Sequence, residues 1–218
     1  RAAVGQAIRI MGEQFVLGRT IAEAIARAKG DGDICSFDML GEGARTAADA
    51  ERYEKSYADA IATVGKLSGG QGPEAGHGIS VKLSALSPRY EATQEDRVWA
   101  ELYPRVKRLA LIAAQHDVHF TIDAEEADRL VISLKLLERL AADADLRADW
   151  KGLGLAVQAY QKRCPQVIKG VAALAEKTGR RLMVRLVKGA YWDSEIKRAQ
   201  VNGRPGYPVY TTKSATDL

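Results

Sequence analysis

Apolar and polar positions change period along this chain in a regular way. Across residues 4–29 apolar side chains recur at helical spacing and predict an opening amphipathic helix. The short run DICSFDML (residues 33–40) then reads as a strand. TAADAERYEKSYADAIATVGK returns to the helical period. Thr46 is its N-cap, Asp49 stands at the third helical position, and Tyr53, Tyr57, Ala60, Ile61 and Val64 form its apolar stripe. SGGQGPEAGHG reads as a loop by its glycines. ISVKLSAL (residues 79–86) predicts a second strand, and a helix then starts near Thr93 and Asp96 and restarts at Pro104, because proline suits a first turn and not an interior. VHFTIDAEE (residues 118–126) predicts a third strand, and Leu130, Leu134, Leu137 and Ala141 mark a helix face. KGLGLAVQAY (residues 151–160) predicts a fourth. Pro165 opens the next helix, Val167, Ile168, Val171, Leu174 and Ala175 form its inner face, and Gly179 ends it. RLMVRLVKGAYWDSEIKRAQ supplies a fifth strand, apolar enough to be covered on both faces, and the start of another helix.

Strands alternating with helices imply parallel βαβ units with right-handed crossovers. A doubly wound dinucleotide fold would want GxGxxG after its first strand, and MLGEGART spaces its glycines differently. A (β/α) barrel makes another demand: polar residues should collect at the C-terminal ends of many strands, which together form one active-site face. Asp38 and Glu42 end the first predicted strand, and Lys82 lies in the second. Asp123 is in the third, Gln158 in the fourth, and Arg185 with Lys188 in the fifth. Taken singly, each has a plainer reading. Asp123 would cap a helix beginning near Ala124, Lys82 would snorkel from a strand edge, and Glu42 and Gln158 would be solvated loop residues. Tyr191 and Trp192 would be packing aromatics. Recurrence at equivalent places in successive units favours a shared site, where Lys82, Asp123 and Arg185 compensate one another's charge. An arginine inside an apolar run cannot shed its proton, so it demands such a partner.

Composition narrows the classes. The 218 residues are 46% hydrophobic and 28% charged, ordinary globular values, and the net charge of +4 is interspersed rather than gathered in a basic arm, so no nucleic-acid partner is expected. Two cysteines, Cys35 and Cys164, without a CxxC, fit a reduced cytoplasmic protein. No apolar run nears 18 residues and no signal peptide is read at the start. His77, His116 and His119 form no HExxH, and no metal site is expected.

The segments FDMLGEGART, ISVKLSALSPRY, TIDAEEADRL, AVQAYQKR, RLVKGAYWDSEIKRAQ and GYPVYTTKSATDL resemble the successive motifs of the FAD-dependent proline dehydrogenase domain of bacterial bifunctional proline utilization proteins. The likeness runs from residue 11 to residue 218. It implies an α/β fold, the distorted (β/α)8 TIM barrel of the proline dehydrogenase type, with FAD at the strand C-termini. It also implies oxidation of L-proline to Δ1-pyrroline-5-carboxylate by hydride transfer to the flavin N5. Carried over, Arg185 matches the arginine at the flavin N5 and Gln158 a glutamine at the pyrimidine edge. Val187, Lys188 and Gly189 lie along the isoalloxazine and its chain. Trp192 lies near the adenosine, and Thr211, Lys213 and Thr216 touch phosphates and ribose. Lys82 pairs with the proline carboxylate, Asp123 is a carboxylate of the same site, and Ala190 and Tyr191 wall the proline pocket. Glu42 closes the pocket by pairing with a later arginine. Asp38 is expected to be a structural neighbour.

Five strands are counted where a closed barrel needs eight. Residues 1–30 are thus expected to be a helical lead-in and residues 31–218 about the first five β/α units, truncated before the last three. The missing units, and the aldehyde dehydrogenase (pyrroline-5-carboxylate dehydrogenase) domain of the parent protein, would follow residue 218, and these residues alone are expected to be inactive. The resemblance further implies a quinone acceptor met peripherally at the membrane when the flavin is reduced. Two rival classes stay open: another barrel enzyme, such as an aldolase using Lys82 as a Schiff-base amine, and a non-catalytic assembly piece with an exposed strand edge.

Overall fold

A computed structural model describes residue 12, residues 16–39 and residues 43–217 of the chain. Helix α1 spans Ile21–Asp31, strand β1 Ser36–Asp38 and helix α2 Ala47–Leu67. Strand β2 is Gly78–Val81, helix α3 Tyr103–Gln115, strand β3 His119–Ile122 and helix α4 Leu130–Ala141. Strand β4 (Leu153–Gln158), helix α5 (Cys164–Thr178), strand β5 (Met183–Val187) and helix α6 (Trp192–Val201) complete the alternation. The five strands pair in parallel in the order β1-β2-β3-β4-β5.

Register divides the sheet into two chemically different faces. Phe37, Ile79, Phe120, Leu153 and Leu155 point one way, into the apolar core beneath the helices. Ser36, Asp38, Ser80, Thr121, Gly154, Ala156, Gln158 and Arg185 have the opposite parity. On that inner face the Arg185 Nη1 donates to Ser80 Oγ at 2.6 Å. Three strand spacings separate β5 from β2, about 14 Å in a flat sheet, beyond the reach of an arginine. The sheet is therefore curled into half of a barrel, with the inner face along its axis.

Local chemistry sets most element ends. Thr46 and Asp49 form a reciprocal capping box: Asp49 N–H donates to Thr46 Oγ1 at 3.1 Å and Thr46 N–H to Asp49 Oδ2 at 3.0 Å. These bonds, with Arg52, hold the Asp49 carboxyl down at about 2. Pro104 and Pro165 stand in the first turns of α3 and α5, and Gly179 closes α5 at φ 64°.

Several expectations are corrected. The opening helix is not continuous through residues 16–20. Thr20 is an extended N-cap for α1, with Glu23 N–H on its Oγ1, and the part of the expected helix before residue 16 lies outside the described residues except residue 12. The second strand stops at Val81 and residues 83–86 turn helical, burying Leu83 and Leu86. The third strand stops at Ile122, and α4 begins only at Leu130, so Asp123 caps no helix. Of the expected α4 face, Leu137 and Ala141 are buried and Leu130 and Leu134 are partly buried against the core; the face also takes in Ile132, Leu136 and Leu140, and Ile168 of α5 is exposed. Among the described residues strand β5 is the last of the sheet, with Val184 48% and Leu186 60% exposed on the helix side.

Candidate active site at the strand C-termini

The inner face carries its charges where the strands end. Lys82 follows β2 and projects its ammonium between β1 and β3. Its Nζ lies 2.9 and 3.1 Å from the two Asp38 oxygens and 3.5 Å from Asp123 Oδ2. The Lys82 backbone N–H donates to the Tyr57 hydroxyl at 3.3 Å, which ties the mouth to the buried face of α2.

Asp123 is the pivot of the group. Its side chain is 7% exposed. Oδ2 faces Lys82, while Oδ1 accepts from Arg185 Nη2 at 2.5 Å. That bond passes over β4, whose inward residue in register with Arg185 is the small Ala156. Burial, then the nearby Asp38 charge, push the Asp123 carboxyl above the usual carboxylate value; the Arg185 and Lys82 cations oppose them. Arg185 itself is 40% exposed, so the arginine expected to be buried is paired and half open to the cavity. A hydroxyl chain continues from it: the Ser80 Oγ that accepts from Arg185 lies 2.8 Å from Ser36 Oγ.

Beside this cluster the segment after β5 is strapped to the end of β4. Ala190 N–H donates to Gln158 Oε1 at 3.2 Å, Gln158 Nε2 donates to the Glu125 carbonyl at 2.9 Å, and Tyr191 N–H donates to the Tyr160 hydroxyl at 3.2 Å. Both ends of the buried Gln158 amide are thus engaged with backbone. Burial pushes the Tyr191 phenol up to about 12, so it stays a neutral hydrogen-bonding group. Gly189 sits at φ 132°, where a Cβ would stand 2.5 Å from the Tyr160 ring. Glycine is required there twice, by backbone conformation and by the close approach of the loop to the ring. Gly189→Ala should lower the stability of this region by about 1–3 kcal/mol. A thermal melt unchanged from wild type would show that the loop is not held against Tyr160.

Residues 208–210 return along the end of β4. Gln161 bridges Val209, Lys162 N–H donates to the Pro208 carbonyl at 3.0 Å, and Trp192 Nε1 donates to the Tyr210 carbonyl at 2.9 Å. The last helical turn, Lys213–Asp217, contains Thr216, and Thr211 lies exposed just before it. Asp217 gathers Lys188 at 2.8 Å and Lys213 at 2.6 Å. Val187 ends β5 on the inner face.

The fold therefore brings Lys82, Asp123 and Arg185 into one network and stacks Gln158, Gly189, Ala190 and Tyr191 at its side. Trp192, Thr211, Lys188, Lys213 and Thr216 group further out, and Glu42 lies outside the described residues. Sequence reasoning under-read two members. Asp38, taken as a neighbour, is the closest described carboxylate to Lys82, and Ser80 holds Arg185. Parity was the available signal, since both share the inward parity of their strands. Among the described residues no group of three metal-ligating side chains occurs.

Residues 21–218 match the family model described as proline dehydrogenase. The chain is 59% identical over its whole length to the bifunctional protein PutA of Escherichia coli and equally to that of Klebsiella aerogenes, and it spans 17% of the length of each. A crystal structure of a Bradyrhizobium japonicum proline utilization A variant superposes with a TM-score of 0.88 at 57% identity, covering 99% of this chain and 22% of that one. Proline utilization A from Bdellovibrio bacteriovorus, inactivated by N-propargylglycine, superposes at 0.89 with 25% identity, over 99% of this chain and 24% of that one. On the family match and these identities, the chain belongs to the proline dehydrogenase family.

Proposed function

We propose that these residues form the core of a site that oxidises L-proline, within a longer chain that supplies the remaining barrel. The observation that carries the reading is the convergence of Lys82 and Arg185 on Asp123 at the strand C-termini, in a chain of this family. One cation then faces a substrate carboxylate and the other faces the cofactor.

FAD fits the residues present. Arg185 offers a partly open cation fixed by Asp123 and Ser80. Lys188 and Lys213, gathered on Asp217, place two cations against one carboxylate at the outer end, which leaves net positive charge suited to a pyrophosphate. Val187, Trp192, Thr211, Thr216 and Gln158 complete the proposed cofactor contacts. The Gln158 amide would have to exchange a backbone bond to reach a flavin edge. The chemistry FAD supplies when bound is acceptance of a hydride from proline Cδ, which leaves Δ1-pyrroline-5-carboxylate.

This chain's own residues do the rest. Lys82 binds and orients the proline carboxylate. Arg185 places fixed positive charge where negative charge gathers during reduction. Asp123 keeps both cations in position. Tyr191 and Ala190 wall the ring, and the family resemblance assigns closure of the entrance to Glu42. Electrons would pass to a quinone met at the membrane surface, and among the described residues no helix is long and apolar enough to cross a membrane. The product would pass to an aldehyde dehydrogenase domain elsewhere in the longer chain, a proposal favoured by relatives named as bifunctional. The aldolase reading is opposed by geometry. A Schiff-base amine must be neutral to attack, and two carboxylates within 3.5 Å of Nζ favour the ammonium.

Lys82→Ala in the full chain should weaken a proline-like carboxylate about 10- to 100-fold, the worth of a charge-assisted hydrogen bond, and leave FAD affinity within about twofold. Anaerobic bleaching of the flavin band by proline, titrated in both proteins, tests this. A yellow protein whose titration is unaffected by the substitution would refute the assignment of Lys82.

A further inference from the structure

We propose that Asp38 is the resident counter-ion of Lys82, and that its charge sets how tightly the site can hold a carboxylate. The inference rests on the reading of Lys82 given above and adds a residue to it. Both Asp38 oxygens lie on the Lys82 ammonium, at 2.9 and 3.1 Å, whereas the nearest Asp123 oxygen is at 3.5 Å. The two acids are not equivalent. Asp123 is 7% exposed and is also held by Arg185, so its charge is compensated from the other side. Asp38 is 40% exposed on the cavity side of β1, where an entering ligand would pass.

The Lys82 ammonium is the group that both acids share. A ligand carboxylate arriving there meets a like charge already seated on the same cation. Asp38 therefore acts in two opposed ways: it aims Lys82 across the mouth, and it repels the anion that Lys82 is to bind. Asp38→Asn keeps the shape and one acceptor oxygen, and removes the repulsion together with the ionic part of the bond to Lys82. Asp38→Glu keeps the charge. Asp38 is a positioning residue in this assignment, since it works through Lys82, and its signature is selectivity for charge rather than loss of fold.

The test uses the full chain with FAD bound and two unreactive ring ligands, cyclopentanecarboxylate and its uncharged amide, cyclopentanecarboxamide, measured by titration calorimetry. Asp38→Asn should tighten the carboxylate about fivefold, the scale of a partly exposed ionic interaction, and leave the carboxamide unchanged. Asp38→Glu should return the wild-type ratio. Lys82→Ala, run alongside, should abolish the preference for the carboxylate. If Lys82→Ala abolishes that preference while Asp38→Asn weakens or fails to alter carboxylate binding, the counter-ion role is wrong and the reading of Lys82 stands. If Lys82→Ala leaves the preference intact, the reading of Lys82 falls and the role of Asp38 falls with it.

Discussion

Arg185→Met in the full chain should slow reduction of the bound flavin by proline about a hundredfold, equivalent to about 3 kcal/mol for the loss of one preorganised electrostatic donor. The cation stands on the inner face of β5, held by Asp123 at 2.5 Å and Ser80 at 2.6 Å, and it is open enough to touch a cofactor. Methionine approximates the length of the arginine stem and removes only the charge and its donors. A second consequence follows for Asp123. Its carboxyl is already held above its ordinary value by burial and by Asp38, with Arg185 the first of the groups pulling it down. Without Arg185 it rises further. An acid whose folded pKa is raised stabilises the fold below its unfolded value, about 3.9, and that stability is lost as pH climbs through the folded pKa. The variant should therefore lose more stability relative to wild type at pH 7 than at pH 4. Stopped-flow reduction and urea midpoints at the two pH values check both parts. Wild-type reduction kinetics in the variant would remove Arg185 from the mechanism.

Arg180→Met should destabilise the fold by about 3–5 kcal/mol without touching the site, because it would leave several buried carbonyls without a donor. Arg180 follows the Gly179 cap of α5 and is only 8% exposed. Its guanidinium donates to the carbonyls of Ala141, Arg147 and Leu146, each at 2.7 Å, with a longer reach of 3.4 Å to that of Asp143. These are the final carbonyl of α4 and the turn that leads to β4, groups a helix end cannot satisfy internally. The cation also opposes the negative end of the α4 dipole. Arg180→Lys should recover only part of the loss, because an ammonium is a point donor and the guanidinium is a planar fork. Urea unfolding at unchanged slope is the measurement. A midpoint shift worth less than about 1 kcal/mol would show that water replaces the guanidinium at little cost.

Much of this molecule was legible in its residue order because the governing interactions are local. The Thr46 and Asp49 cap is complete within four residues, Gly179 and the prolines mark helix ends by their own backbone limits, and the switch between periods announces each β/α unit. Lys82, Asp123 and Arg185 were found because a charge in an apolar run is itself a signal, reinforced by motif resemblance. The tertiary structure alone decided who meets whom. Asp38 and Lys82 are 44 residues apart and Asp123 and Arg185 are 62 apart, so neither pairing has any local trace. Strand parity predicts the face a residue takes but not the neighbour it finds; that depends on register and on a curl tight enough to bring β5 opposite β2. Coverage was likewise undecidable from composition. Val184 and Leu186 look like any buried strand pair, but what covers them depends on what stands beside β5, the last strand of the sheet among the described residues. Arg180, in a segment read only for its glycine and its strand, became the clasp of α4 because folding carried four carbonyls to it from 33 to 39 residues away. Local sequence specifies elements and their ends, because capping and periodicity act over a few residues. Charge pairing and burial depend on surfaces that exist only once the chain has closed on itself.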